Sequence, residues 1–367
     1  MRTHPIPVDK MAQNKINLLD LDKKSMEEFA IKLGGKAFHG RNLLKWIHKR
    51  GVCDFYEMTD LSKKLRDKIE DIAEVKVPEI IFEQPSTDGT LKWVFELEDS
   101  QRIETVLIPD GERLTLCVSS QVGCALDCSF CSTAQQGFSR NLTTGEIIGQ
   151  VWVASHVIGK TPTNVVMMGM GEPLANFNAV VEATELMTDD LAYMISKNKV
   201  TISTSGIVPA LNRLAELSEV SLAVSLHAPT NELRDKLVPI NKKYPLEELI
   251  PACENYIRRD RRKKITWEYV MLDNINDTIV HAKLLAKLLR GIPSKINLIP
   301  FNKFPGTAYQ SSSPERIELF KKQLTKSGII TTTRKTRGQD IDAACGQLVG
   351  RVQNRRTRES RKNVNVR

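Results

Sequence analysis

No stretch of the 367 residues approaches the roughly 18 consecutive apolar residues of a membrane-spanning helix. The start, MRTHPIPVDK, is polar and has no apolar run behind it. The expectation is a soluble, unexported, cytoplasmic protein without a membrane partner. An even set of cysteines is also missing. There are seven, at Cys53, Cys117, Cys124, Cys128, Cys131, Cys253 and Cys345, and an odd count in a long unexported chain argues against a disulfide framework. No short internal repeat or low-complexity segment is visible, which argues against a solenoid.

The 41% hydrophobic content is ample for a buried core, and the length suits one large domain plus a smaller one. The net charge is +9. The last 17 residues, RVQNRRTRESRKNVNVR, contribute +6 of it. This 351–367 tail reads as disordered and either phosphate-seeking or simply solubilising. A second basic run, RRDRRKK from Arg258 to Lys264, reads as a solvated loop.

Residues 1–76 read as a small helical accessory domain, either docking RNA or packed as a cap on the larger domain. Ser25 with Glu28 matches a capping box. HGRNLLKWIHKRG places Leu43, Leu44, Trp46 and Ile47 on an apolar side, and Gly51 supplies the stop. Asp60 to Ile72 forms another amphipathic pattern. Residues 77–111 read as a β-rich connector with turns at Thr87-Asp88-Gly89 and Pro109-Asp110-Gly111.

From 112 to 350 the pattern turns regular. Strand-like runs at 114–119, 164–168, 200–204, 221–226, 265–270 and 295–300 alternate with helix-like stretches at 144–157, 179–187, 207–217, 246–257, 278–289 and 314–327. A further short strand falls near 329–333. Six βα units predict an α/β fold with a parallel sheet, a partial (β/α)6 relative of the TIM barrel. Active sites of such barrels collect at the C-terminal ends of the strands. Five chemically suggestive segments fall there: Cys124-Ala-Leu-Asp-Cys128-Ser-Phe-Cys131, Gly169-Met-Gly-Glu-Pro173, Ser203-Thr-Ser-Gly206, Ser225-Leu-His227 and Pro300-Phe-Asn302.

CxxxCxxC offers three thiolate ligands on one short loop. A cubane [4Fe-4S] cluster has four irons, so three protein ligands leave one iron open to a small molecule. S-adenosylmethionine (SAM) can occupy it through its amino and carboxylate groups, and an electron from the cluster can then yield a 5′-deoxyadenosyl radical. Phe130 would shield such a cluster. Zinc is the rival, but it prefers four ligands, commonly from two CxxC-like pairs, and no second pair exists. Glu172 can accept hydrogen bonds from the SAM ammonium, and the glycines beside it let backbone approach a ligand. Ser203 could bond the SAM carboxylate or cap a helix. His227 and Asn302 could each be structural.

The stretches CVSSQVGCALDCSFCSTAQQGFSRNLT, MMGMGEPLAN, TISTSGIVP, SLAVSLHAP, INLIPFNKFPG and DIDAACGQL resemble the dual-specificity ribosomal and transfer RNA adenine-C2 methyltransferases of the radical SAM superfamily. The likeness runs from about Leu43 to Leu348. It implies methylation of carbon 2 of an adenine in 23S ribosomal RNA and, in some members, of the adenine beside the anticodon of tRNAs, with two SAM per turnover. It implies that Cys124, Cys128 and Cys131 hold the cluster and that Gly171, Glu172, Ser203, Ser225, Leu226, His227 and Asn302 contact SAM. By the same resemblance Cys345 carries the methyl group, Cys117 resolves a protein–RNA adduct through a transient disulfide, and Glu104 accepts the carbon-2 proton. Flavodoxin is the implied electron donor, and a monomer is expected. Lys45 and Trp46 are candidate RNA contacts. Cys53 and Cys253 match no role. A zinc-stabilised RNA-binding module and an adenine carbon-8 methyltransferase stand as alternatives.

Overall fold

In the computed structural model, the described residues are 15–348 apart from 259, 261 and 345. Cys345, two arginines of the RRDRRKK run and the basic tail therefore lie outside them. Ten strands form one sheet: β1 (Glu79–Pro85), β2 (Leu91–Glu96), β3 (Arg102–Asp110), β4 (Arg113–Cys117), β5 (Asn164–Met167), β6 (Val200–Thr204), β7 (Ser221–Ser225), β8 (Ile265–Met271), β9 (Ser294–Pro300) and β10 (Ile330–Thr333). Their spatial order is their chain order. Strands β4 to β10 are parallel to their neighbours, whereas β1 to β4 pair antiparallel. The 77–111 strands thus extend the edge of the parallel sheet.

The six helices that the alternation predicts lie in the crossovers, α4 (Thr144–Ile158), α5 (Phe177–Thr188), α6 (Val208–Leu217), α7 (Leu246–Ile257), α8 (Ile279–Leu288) and α9 (Pro314–Lys326), together with two shorter ones at Ser132–Gln135 and Asn231–Leu237. They follow the front helices α1 (Lys23–Lys32), α2 (Ala37–Leu44) and α3 (Lys63–Ile72). The central parallel strands are mostly buried although serine and threonine interrupt them, as in Val200-Thr-Ile-Ser-Thr204 and Ser221-Leu-Ala-Val-Ser225.

The front helices pack on the barrel. Leu43, Leu44 and Ile47 are fully buried, and the Trp152 indole donates to the Ile47 carbonyl at 2.8 Å. The Gly145 amide, at the start of α4, donates to Asp20 at 2.6 Å. Three local expectations need correction. The capping box at Ser25 and Glu28 does not start α1: Asp22 does, its carboxylate accepting from the Ser25 amide at 2.7 Å. Helix α3 begins at Lys63, capped by Ser62. After α2 the chain continues as a wider π turn, Lys45–Lys49, before Gly51 ends it at φ 68°.

Candidate active site

The CxxxCxxC loop leaves β4 and is held before it reaches the first cysteine. Gln150, buried on α4, accepts from the Ser119 amide at 2.8 Å and donates to the Ser119 carbonyl at 2.9 Å. The Ser119 hydroxyl donates to the Glu104 carbonyl at 2.6 Å and accepts from the Met170 amide at 2.9 Å. Residues Gln121–Gly123 then pair antiparallel with Phe138–Asn141, closing a neck under the loop. At that neck Gly123 has φ 78°, and a Cβ there would collide with the Gly137 carbonyl. The Cys124 amide donates to that same carbonyl at 2.9 Å, and the Cys131 amide to the Cys128 carbonyl at 3.1 Å.

The far end of the chain stitches this loop down. The Ser132 amide donates to the Gly346 carbonyl at 2.8 Å, and the Thr133 hydroxyl to the Leu348 carbonyl at 2.7 Å. Gly346 and Leu348, just after Cys345 in the chain, therefore sit against the cysteine loop.

All three loop cysteines line one cavity of about 930 Å³, its open mouth included, at the C-terminal ends of the strands. Gly171, Glu172, Ser203, Ser225, His227 and Asn302 line it too. Of the seven residues expected to contact SAM, only Leu226 does not. It is fully buried behind the wall, its amide donating to the Glu268 carbonyl at 3.1 Å.

The glycines of Gly169-Met-Gly-Glu-Pro173 line the cavity and also permit close packing. A Cβ at Gly169 would meet the Val118 carbonyl at 2.6 Å, and one at Gly171 (φ 100°) would meet Gln121 at 2.5 Å. Both glycines let this turn press against the chain entering the cysteine loop. Glu172 is deeply buried, and burial raises its pKa. Its carboxylate accepts from the Leu174 amide at 3.1 Å and the Ser205 amide at 2.8 Å, and the Thr204 and Ser205 side chains bond it too. His227 takes φ 59°. Its Nδ1 accepts from the Val270 amide at 3.0 Å, so the neutral ring carries its proton on Nε2. Burial, aided by Arg234, lowers its pKa to about 3. The Phe130 ring meets it edge-on at 4.6 Å.

Arg234 was not legible from its motif. It is fully buried, and its hydrogen bonds go to neutral oxygens. Its guanidinium donates to the carbonyls of Ser205 (2.6 Å), Ser225 (3.1 Å) and Leu226 (3.2 Å) and to the Asn241 amide oxygen (2.9 Å). One side chain thus fixes the ends of β6 and β7. Glu268, midway along β8, also lines the cavity and was not anticipated.

A second, narrow pocket, about 450 Å³ with its open surroundings included, adjoins the first. Met168, Ile299, Pro300, Asn302 and Arg334 line both. Cys117 and Ala344 line the second, while Gly346 lines the first. Glu104 is buried on β3, and strand alternation puts it on the face of Val106 and Ile108, which line the second cavity. Lys45 and Trp46 lie on the front helices, far in sequence from these walls. The Arg50 guanidinium stacks 3.8 Å above the Trp46 ring, and the Trp46 indole donates to Asp60 at 2.6 Å.

Donor chemistry decides whether a cluster fits. Burial pushes the Cys124 thiol up to about 12, and burial with the neighbouring cysteines pushes Cys128 well above the usual thiol range. Crowded, buried thiols become thiolates only when cationic metal compensates them, which suits iron–sulfur ligation. Among the described residues, no three His, Cys, Asp or Glu side chains are gathered around one metal-ion position.

A sheet of this topology with three cysteines facing an open cavity at its strand tips defines a radical SAM enzyme. The Radical SAM superfamily matches residues 118–285, and the ribosomal RNA large subunit methyltransferase N-terminal domain matches residues 16–75. The chain is 59% identical to a dual-specificity RNA methyltransferase RlmN from Alkalilimnicola ehrlichii, over 94% of this chain and 97% of that protein. It is 54% identical to the protein of that name from Marinobacter nauticus, over 95% and 97%. A crystal structure of a radical SAM methyltransferase from Sphaerobacter thermophilus superposes with a TM-score of 0.84 at 42% identity, covering 91% of this chain and 99% of that one. The chain belongs to the RlmN family of dual-specificity RNA methyltransferases.

Proposed function

We propose that the protein methylates carbon 2 of adenine in 23S ribosomal RNA and in tRNA, through a methylated Cys345 and a covalent protein–RNA adduct. Carbon 2 lies between two ring nitrogens and is too electron-poor to attack a methyl sulfonium, so it must be attacked by a carbon radical. One SAM methylates the Cys345 thiolate by displacement. A [4Fe-4S] cluster on Cys124, Cys128 and Cys131, fed one electron by a donor such as flavodoxin, supplies the reductive cleavage of a second SAM. Glu172, Ser203, Ser225, His227 and Asn302, with Gly171 and Leu226 shaping the backbone, orient that SAM so that hydrogen is taken from the Cys345 methyl group. The methylene carbon then joins carbon 2. Glu104 takes the carbon-2 proton, and one electron passes from the adduct back to the cluster oxidised in the SAM cleavage. Cys117 attacks the Cys345 sulfur, the sulfur–carbon bond breaks, the carbon takes up a proton, and a disulfide remains to be reduced.

One observation carries this reading. The residues on either side of Cys345 line two adjoining cavities, Gly346 the one with the loop cysteines and Ala344 the one with Cys117. The described residues before and after position 345 thus border both chemistries. The protein acts as a cytoplasmic monomer, with the front helices around Lys45 and Trp46 and the basic tail meeting RNA phosphate.

The Cys117→Ala variant, expressed with its RNA, is expected to copurify as a covalent crosslink through Cys345. RNA that washes away in denaturant would overturn the resolving role. Mass spectrometry of the ribosomal adenine against carbon-2 and carbon-8 methyl standards fixes the position. A carbon-8 product would replace the reading, as would a colourless, zinc-loaded protein on anaerobic purification.

A further inference from the structure

Glu268 is 3% exposed, and one of its carboxylate oxygens, Oε2, is buried with no hydrogen-bond partner among the described residues. Such a group costs free energy unless something in the site supplies a donor. Its surroundings give it a direction. The Thr332 hydroxyl on β10 donates to the Asn297 Oδ1 on β9 at 2.5 Å; its other acceptor, the Ile296 carbonyl, is at 3.4 Å. That turns the Asn297 amide so that its Nδ2 donates to Glu268 Oε1 at 3.1 Å. Three strands thus pass a polar ladder inward, ending on an acceptor that lines the cavity. Burial raises the carboxyl pKa, and Arg334 and Lys295 oppose that shift.

Depth argues for what meets it. Glu268 is the fourth of seven residues of β8, and Val270, nearer the strand tip, lines the same cavity. It is in register with Ser225 on β7 and Asn297 on β9. It therefore belongs to the floor, below Asn302 at the mouth. A nucleotide of RNA enters from the strand tips, so the floor meets the small-molecule ligand. Glu172 and Ser203, at the ends of β5 and β6, take the amino-acid end of that ligand. The remainder lies over β7 to β9.

We propose that Glu268 is a SAM-binding residue whose Oε2 accepts a hydrogen bond from a donor on the adenosyl part, a ribose hydroxyl or the adenine amino group. The inference rests on the reading that the larger cavity binds SAM.

The test uses full-length protein with reconstituted cluster, and radiolabelled SAM in equilibrium dialysis. Wild type failing to bind SAM would overturn the site reading itself. If wild type binds, Glu268→Met and Glu268→Gln are compared at matched iron content and melting temperature; the first keeps volume, the second also keeps the acceptor for Asn297. Losing a charge-assisted hydrogen bond is expected to weaken SAM by about tenfold or more. Analogues lacking the 2′-hydroxyl, the 3′-hydroxyl or the 6-amino group then locate the donor. The one lacking it should bind wild type and Glu268→Met alike. Should one variant not fold, the other serves. Wild-type affinity in a folded variant, or equal losses for all three analogues in wild type and variant, would overturn the proposal.

Discussion

His48 is buried against Tyr193, with its Nδ1 3.2 Å from the phenol oxygen and its Nε2 without a partner among the described residues. Burial lowers its pKa to about 3. In the unfolded chain the same imidazole takes up a proton near pH 6.5. Its stabilising contribution is therefore full above about pH 6.5 and is lost as the pH falls towards 3, because the unfolded state binds the extra proton. Urea denaturation at a series of pH values should show stability falling below pH 6.5. His48→Phe should flatten that slope by up to about 1.4 kcal/mol per pH unit; an unchanged slope would show that His48 does not titrate on unfolding. Arg234 makes a sharper case. Arg234→Met removes four hydrogen bonds, to the Ser205, Ser225 and Leu226 carbonyls and to Asn241 Oδ1, at a cost of about 3 kcal/mol or more. SAM affinity should fall with it, and Arg234→Lys, which cannot reach four acceptors at once, should restore little. Neither residue was legible from the sequence. The motif SLHAP drew attention to His227, but nothing in NELRDKL says that its arginine turns inward. Glu268 is likewise one charge inside a strand pattern. The loop cysteines were legible because their spacing gathers three thiols on one loop, and Glu172 drew notice only through its place after a strand.

At the scale of elements, the neck beneath the cysteine loop depends on Gly123. Its left-handed φ and the Gly137 carbonyl against it leave no room for a side chain. Gly123→Ala should keep the far-UV circular dichroism of the barrel while reconstituted iron per chain falls severalfold. Full iron loading would show that the neck tolerates a shift. The six βα units were readable almost to the residue, since buried parallel strands and amphipathic helices have different periods. The hairpin turn between β2 and β3 was not marked, because Asp99-Ser100 carries no glycine; Ser100 itself takes φ 59°. The cap of helix α1 was read one turn too late, because Asp22 is as good a cap as Ser25.

For the whole molecule, the three loop thiols lie in a cavity where burial disfavours the ionised forms of Cys124 and Cys128. Cluster assembly must release their protons, so iron uptake should be faster and more complete at pH 8.5 than at pH 6.5. Removal of the cluster by a chelator should lower the melting temperature of wild type, and a Cys124/Cys128/Cys131→Ala triple variant should sit at the lowered value throughout. A wild-type melting temperature indifferent to the cluster would show that the loop is held by hydrogen bonds alone. The fold class followed from the sequence. The joining of the 77–111 strands to the parallel sheet did not, because antiparallel pairing leaves no mark that tells one sheet from two.

The hydrogen bonds from Ser132 and Thr133 to Gly346 and Leu348 span more than two hundred positions of chain. A polypeptide emerging from the ribosome makes the barrel strands long before it makes residues 346–348. Until then the loop that bears the three cysteines lacks its last two ties. A loop with all its ties therefore waits for residues 346–348, and a chain cut short before this segment would carry its three thiols on a looser loop and lack Cys345 as well.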